Sequence, residues 1–171
     1  MARPFAIPAV GKAILSLLSA GVPKPEFANA VFELVQPKDL QTPIDEGIGL
    51  YLYRITAASK VTSPPPHTTG GRQSLPPLHI DLHYLLVAWA RDAFKQQRLL
   101  GWAMRTLDST PVLPASLLNA EEPEPDLFDE NEAVEVVLET ISLEDLGTIW
   151  EGAGMPMQPG AAYVARGLSI Q

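Results

Sequence analysis

The sequence predicts an α+β fold in a single domain, with helices packed on a mixed, mostly antiparallel sheet. The chain has 171 residues, of which 46% are hydrophobic and 19% charged, so it suits one domain that can bury a core. Strand-like alternation recurs in five segments and helical spacing in three. The predicted order, α-β-β-β-α-β-α-β, favours helices on one face of the sheet.

The first part of the chain predicts one helix and two strands. Residues 8–20 place apolar side chains at helical spacing before Gly21, which ends the helix. Segments 29–37 and 47–56 alternate and are rich in β-formers, which predicts two strands. In the second strand, one face is expected to carry Tyr51, Tyr53 and Ile55, and the other Leu50, Leu52 and Arg54.

Residues 57–77 predict a long loop, or arm, between two strands that pair with each other. The segment contains three consecutive prolines and then two glycines. Such a run favours polyproline II structure and turns, and disfavours helices and strands. A loop of this length is uncommon in a compact domain and is usually functional or disordered.

The stretch "PPLHIDLHYLLVAWARD" (76–92) predicts a central strand. His79, Asp81 and His83 would share one face, which turns apolar at Leu85. The other face is apolar throughout. The second half of this strand is therefore expected to be buried on both sides.

Two histidines and a carboxylate on one face also suggest a metal site of the zinc or non-haem iron type. Positions i and i+4 of a straight strand lie ~13 Å apart, which is too far for both His79 and His83 to bind one ion. One of them with Asp81 would need a third ligand, and His67 in the arm is the remaining histidine. A polar half-face, exposed or at an interface, is the simpler interpretation.

Residues 92–110 predict the clearest helix of the chain. Asp92 is a plausible N-cap, and the exposed side is expected to carry Lys95, Arg98 and Arg105. After Pro111 comes a short extended piece, "PVLPASLLNA", and then an acidic loop over 119–133.

The last part of the chain predicts a strand, a helix and a closing strand. Segment 133–141 alternates, and "GAAYVARGLSI" (160–170) closes the chain as a strand. Between them, Ser142 and Asp145 form a variant capping box. The core face of this helix is expected to carry Leu143, Leu146, Ile149 and Trp150.

Charge is distributed unevenly along the chain. The net charge is −8, which argues against nucleic acid as the main partner. Residues 1–105 hold 11 Lys/Arg and 7 Asp/Glu, whereas 106–171 hold 1 and 13. Residues 121–135 alone contribute 8 acids, so one solvated loop explains much of the asymmetry. Complementary charge between copies, or between this loop and a positive ring, is the alternative.

The sequence offers little for catalysis or for cofactor binding. It has no cysteine, which excludes a disulfide framework and a thiol nucleophile. It contains neither a G-x-S-x-G elbow nor a phosphate-binding glycine loop. No apolar run is long enough to span a membrane, and the N-terminal apolar run is too broken for a signal peptide. We therefore expect a non-enzymatic protein without a cofactor, made in the cytoplasm.

The residues do resemble one family. The stretch 76–92 followed by "QQRLLGWAMRTLDSTPVLP" (96–114) resembles cap, or tail-terminator, proteins of extracellular contractile injection systems, of the anti-feeding-prophage and virulence-cassette type. The resemblance extends to "LYLYRIT" (50–56) and to "ETISLEDLGTIWEGAGMPMQPGAAYVARGLSI" (139–170), and so covers nearly the whole chain. The arm and the acidic loop depart from the family pattern.

The resemblance implies a fold like that of phage tail-terminator proteins and a structural function. Six copies would form a ring on the distal end of the inner tube, stop its elongation and hold the last sheath layer. The partners would be other copies, the tube protein and the sheath protein, with no nucleic acid and no membrane. The resemblance also implies that the protein becomes part of a tail-like particle, which cell lysis would release.

Candidate interface residues follow from the polar strand face, the exposed side of the helix and the acidic loop. They are Asp81, His83, Lys95, Arg98, Arg105, Glu121, Glu122, Glu124, Asp126, Asp129 and Glu130. Because Asp81 and His83 match the family pattern, the resemblance implies a structural or interface role for them. Two other functions stay open: an adaptor that docks cargo or baseplate parts through the arm, and a metal-dependent enzyme that uses Asp81 with a histidine.

Overall fold

The computed structural model describes residues 2–58, 67–69, 72–74, 76–120 and 126–171, with the backbone alone for the two short middle pieces. In chain order the elements are α1 (Ala6–Gly21), β1 (Val31–Leu34), α2 (Pro37–Leu40), β2 (Gly47–Ala57), β3 (His67–Thr69), β4 (Arg72–Ser74), β5 (Leu78–Trp89), α3 (Ala93–Ser109), β6 (Val112–Pro114), α4 (Ala115–Leu118), β7 (Ala133–Glu139), α5 (Leu143–Gly152) and β8 (Gly160–Ile170).

Six strands form one sheet in the order β1-β2-β5-β8-β7-β6. β1 runs parallel to β2, and every other neighbouring pair is antiparallel. The mixed, mostly antiparallel sheet and the α+β class are confirmed. The central position of β5 is also confirmed, because it pairs with β2 on one side and β8 on the other. From Leu82 onward every residue of β5 is buried.

A β-bulge changes the alternation of β2. Leu52 is opposite Tyr84 and Arg54 is opposite His83, so Tyr53 is one residue too many in β2. Beyond this point, Arg54 and Thr56 both contact His83. The expectation that Arg54 shares a face with Leu50 and Leu52 is therefore wrong for the outer half of the strand.

The larger core lies on the sheet face that α1, α3 and α4 cover. Ile14 and Leu18 of α1 and Leu99 of α3 are fully buried there against Leu82 and Leu86 of β5. Burying a side chain of this size stabilises the fold by about 1.5–3 kcal/mol. Leu127 and Phe128 close the same core from the segment that precedes β7.

A second, smaller core lies on the opposite face. Leu40 of α2 and Trp150 of α5 cover Leu85, Val87 and Trp89 of β5. The prediction of helices on one face is therefore wrong. The physical reason is that β5 is apolar on both faces in its second half, so both faces must be covered.

Helix caps agree with the sequence, whereas two details do not. The Asp92 and Ser142 side chains accept hydrogen bonds from the backbone N–H groups of Lys95 (2.9 Å) and Asp145 (3.0 Å). Leu143, expected in the core, is 72% exposed, since it is the first residue of α5 and lies outside the packed stripe. The piece predicted as extended after Pro111 contains α4 as well as β6.

Within the predicted 57–77 loop, the described residues include the short antiparallel hairpin β3–β4. They also include the two ends of the loop, 57–58 and 76–77. The rest of the predicted loop lies outside the described residues. The hairpin is a separate two-stranded sheet. No helix within the described residues has the length and apolar character needed to cross a membrane.

Candidate assembly surfaces

The polar half-face of β5 is organised around His83, which is buried within the sheet, with 5% of the residue exposed. Its Nδ1 lies 2.8 Å from Oε2 of Glu139, and its Nε2 lies 2.9 Å from Oγ1 of Thr56. A carboxylate only accepts hydrogen bonds, so we assign the ring proton to Nδ1, which donates to Glu139. Thr56 completes the ring's hydrogen bonding from β2.

Glu139 joins three strands through this cluster. It lies on β7 and reaches over β8 to His83 on β5. The Tyr53 hydroxyl donates to the same carboxylate over 3.3 Å, and an Arg54 nitrogen lies 3.8 Å from its other oxygen. Burial and the nearby Glu139 charge raise the pKa of Tyr53. The bulge in β2 places these two side chains, which the sequence analysis did not assign to the site.

The His83 ring is hydrogen-bonded within the sheet, and an interface role for His83 and Asp81 stays a prediction. Asp81 and His79 are half-buried and contribute no hydrogen bond to it. Across the described part of the chain, no three His, Asp or Glu side chains come together in a metal-binding group. Because its ring is engaged on both nitrogens by side chains of β2 and β7, His83 links strands that are distant in sequence.

The basic residues of α3 are compensated within the chain. The carboxylate partners come from the segments before β1 and β2 and from α3 itself, and the pairs are Lys95 with Glu46, Arg98 with Glu26 at 2.7 Å, and Arg105 with Asp108 at 2.6 Å. The hydrogen bonds from Arg98 lower the pKa of Glu26. An interface role for these three basic residues stays a prediction, and any partner would have to compete with the existing pairs.

Part of the predicted acidic loop is anchored firmly. Leu127 and Phe128 are buried, and the Asn119 side chain bonds both the N–H and the C=O of Phe128 at 3.0 Å. This anchor holds the carboxylates of Asp126, Asp129 and Glu130 on the surface. Glu121, Glu122 and Glu124 lie outside the described residues. The interface role of all six acids stays a prediction.

Two exposed leucines at the margins of the sheet were not singled out from the sequence. Leu34 on β1 is 40% exposed, and Leu138 on β7 is 55% exposed. A groove of about 670 Å³ between α1 and β1 adjoins the first, and one of about 560 Å³ between α3 and β7 adjoins the second. The alternation in "AVEVVLE" (133–139) could have identified Leu138 as an apolar residue near an edge.

Two solved structures share this arrangement of helices and strands. The PVC sheath/tube terminator in its extended state, from an extracellular contractile injection system, matches with a TM-score of 0.66 and 16% identity over 96% of this chain and 56% of that chain. The anti-feeding prophage tube-terminating cap matches with a TM-score of 0.62 and 16% identity over 94% and 53%. Both likenesses are at the level of fold.

The chain thus spans just over half the length of these two proteins. A comparison with curated protein sequences gives no match. The sequence model of the Pvc16 N-terminal domain matches residues 9–171, which is nearly the whole chain. The resemblance inferred from the sequence motifs is therefore confirmed, and this chain belongs to the Pvc16 N-terminal domain family.

Proposed function

We propose that this chain serves as the cap, or terminator, of a contractile injection system tail. Its function is to bind the distal end of the inner tube and to stop tube elongation. The observation that carries the proposal is the shared fold with a sheath/tube terminator over 96% of the chain, together with family membership. The second terminating cap of the same fold supports the same role.

The cap is proposed to act as a homohexameric ring that also holds the last sheath layer. A ring of identical copies requires two different complementary patches on each subunit. The two margins of the sheet are chemically different, as such a ring requires. Both carry an exposed leucine, but one belongs to a parallel strand pair and the other lies beside the acidic segment.

The role is structural and needs no turnover. His83, the residue with most potential for chemistry, is held on both ring nitrogens by Glu139 and Thr56. This use of the polar half-face supports a rigid scaffold. The proposed partners are the tube and sheath proteins, without nucleic acid or membrane, and assembly takes place in the cytoplasm before the particle is complete.

The anchored acids offer a contact for a positively charged tube or sheath rim. Replacing Asp126, Asp129 and Glu130 with Asn, Asn and Gln should weaken attachment to tails and reduce its dependence on salt, because charge attraction is screened by ions. The Glu144→Gln change on α5 is a control for loss of an exposed acid elsewhere. Equal attachment of all variants at every salt concentration would remove this contact from the proposal.

The test of the function is electron microscopy of tails assembled with and without this protein. We expect density at one end of the tube when the protein is present and its loss when the protein is absent. Deleting residues 62–72 separates the cap from the adaptor. A cap without the arm still occupies the tube end, whereas an adaptor without it loses its partner.

A further inference from the structure

The outer edge of β1 has backbone groups available for another strand. The Val31 N–H donates to the carbonyl of Glu46, which precedes β2, and the Val35 N–H donates to the carbonyl of Leu50 in β2. In a parallel ladder, alternate residues face the partner, so the N–H and C=O groups of Phe32 and Leu34 point away from β2. No described strand pairs with them on that side.

The far half of β7 has a similar free edge. β6 covers β7 only at 133–135, and the Val136 N–H donates to the carbonyl of Pro111. The backbone of Leu138 has the same phase as that of Val136, so its N–H and C=O groups point outward, beyond the end of β6. Within the described strands, nothing pairs with this part of β7 on the outer side.

The two free edges match in the direction that their side chains take. Phe32 packs edge-on against Trp102 of α3, and Leu34 lies over Gly11 of α1. Val136 belongs to the same core, so Leu138, two residues further along β7, is on that face as well. Both exposed leucines therefore lie on the sheet face that α1 and α3 cover, each beside a groove formed with one of those helices.

Strand direction favours a junction between these edges in a ring. Successive antiparallel pairs from β2 to β7 make β1 and β7 run in opposite directions. Subunits related by rotation about an axis along the strands keep their strand directions. A β1 edge would then meet the β7 edge of the next subunit as an antiparallel pair, which is slightly more stable per residue than a parallel one.

Charge favours the same junction over two like edges meeting. Residues 111–120 and 126–139, around β6 and β7, carry six Asp/Glu and no Lys/Arg, so two such edges repel each other. Residues 6–40, around α1 and β1, carry three Lys and three Asp/Glu and are neutral overall. Like-charge repulsion therefore opposes a symmetric β7–β7 contact and leaves the head-to-tail contact unopposed.

We propose that the β1 edge of one copy pairs with the free β7 edge of a second copy, so that the sheet continues from subunit to subunit. Leu34 lies opposite Leu138, and their backbones exchange two hydrogen bonds. The opposite register, with Leu34 against Val136, is blocked because Val136 already bonds Pro111. This inference rests on the proposed ring and names its contact.

The test is disulfide cross-linking in assembled tails that carry the double variant Leu34→Cys with Leu138→Cys. The chain has no cysteine of its own, so the new pair reports one contact. Facing residues of a hydrogen-bonded antiparallel pair have Cα atoms ~5.5 Å apart, which is within disulfide range. After oxidation we expect a ladder of covalent multimers in non-reducing gels, and a mixture of the two single variants should stop at dimers.

The matched control pairs Leu34→Cys with Leu143→Cys, because Leu143 is also exposed but lies on α5, which covers the opposite face. Two results would overturn the inference and leave the cap function intact. One is capped tails with no cross-link in the Leu34–Leu138 double variant. The other is a cross-link from Leu34→Cys to the tube or sheath protein. Tails without caps in the unmodified protein would instead contradict the proposed function. As a second test, in the chain without introduced cysteines, Leu138→Asp should abolish the non-covalent multimers of this chain on assembled tails, as seen by electron microscopy, and Leu143→Asp should not.

Discussion

The hydrogen bond between His83 and Glu139 should contribute measurably to stability, and a double-mutant cycle isolates it. The variants are His83→Leu, Glu139→Ala and their combination. Leucine occupies similar buried space, so the main loss is the contact at 2.8 Å between Nδ1 and the carboxylate. The cycle subtracts what each side chain does on its own.

The magnitude follows from burial. Hydrogen bonds to charged groups contribute about 1.5–3 kcal/mol. The His83 side chain is 6% exposed and Glu139 is 23% exposed, so water screens the carboxylate in part. We therefore expect a coupling energy of about 1–2 kcal/mol, and about 2 kcal/mol of destabilisation from His83→Leu alone.

Urea unfolding followed by fluorescence of the tryptophans measures the cycle, provided that the slope with denaturant stays constant. The comparison pair is Arg98 with Glu26, which has equally short contacts of 2.7 and 2.8 Å but side chains that are 53% and 35% exposed. Its coupling should be clearly smaller, because solvent-exposed ion pairs gain little. A coupling for His83–Glu139 no larger than that of the exposed pair would refute the reasoning.

Three further outcomes are expected. Burial raises the pKa of Tyr163 to about 12. Because this tyrosine ionises more easily in the unfolded chain, the free energy of unfolding should fall as the pH rises from about 10 to about 12. Tyr163→Phe should make that fall smaller in alkaline unfolding curves. Gly49→Ala should destabilise the fold by about 1–3 kcal/mol, because the new Cβ would lie 2.4 Å from the Trp89 ring. Gly101→Ala in α3 is the control, since its Cβ would meet no neighbour within 4 Å. It should stabilise the fold by about 0.5–1 kcal/mol, and thermal melts measure both variants. Trp150→Ala should cost about 3–5 kcal/mol and release α5, detected as faster amide exchange in that helix while α1 keeps its protection.

Local patterns predicted most of the fold. Asp92 and Ser142 cap their helices as expected, because capping depends on residues three positions apart. The alternation in 78–89 identified β5 as the central strand. The face of β5 that carries His83 becomes apolar at Leu85, which indicates that this face must also be covered, and α5 covers it.

The partners of the candidate residues depend on contacts that sequence spacing does not encode. His83 meets Glu139 from 56 positions away, and the bulge at Tyr53 shifts Arg54 onto the same face. Arg98 was expected on the exposed side of its helix, and it is paired there with Glu26 from 72 positions away. Such pairings are set by strand order and register, which the alternation of one segment does not determine.

The length distribution of assembled tails, measured by electron microscopy with and without this protein, tests the central claim most directly. A terminator that stops elongation predicts tails of uniform length when it is present, and overlong or ragged tubes when it is absent. Restoring the protein should restore the uniform length. Tails of the same uniform length in its absence, with normal capped ends, would contradict the assignment of this chain as the tube cap.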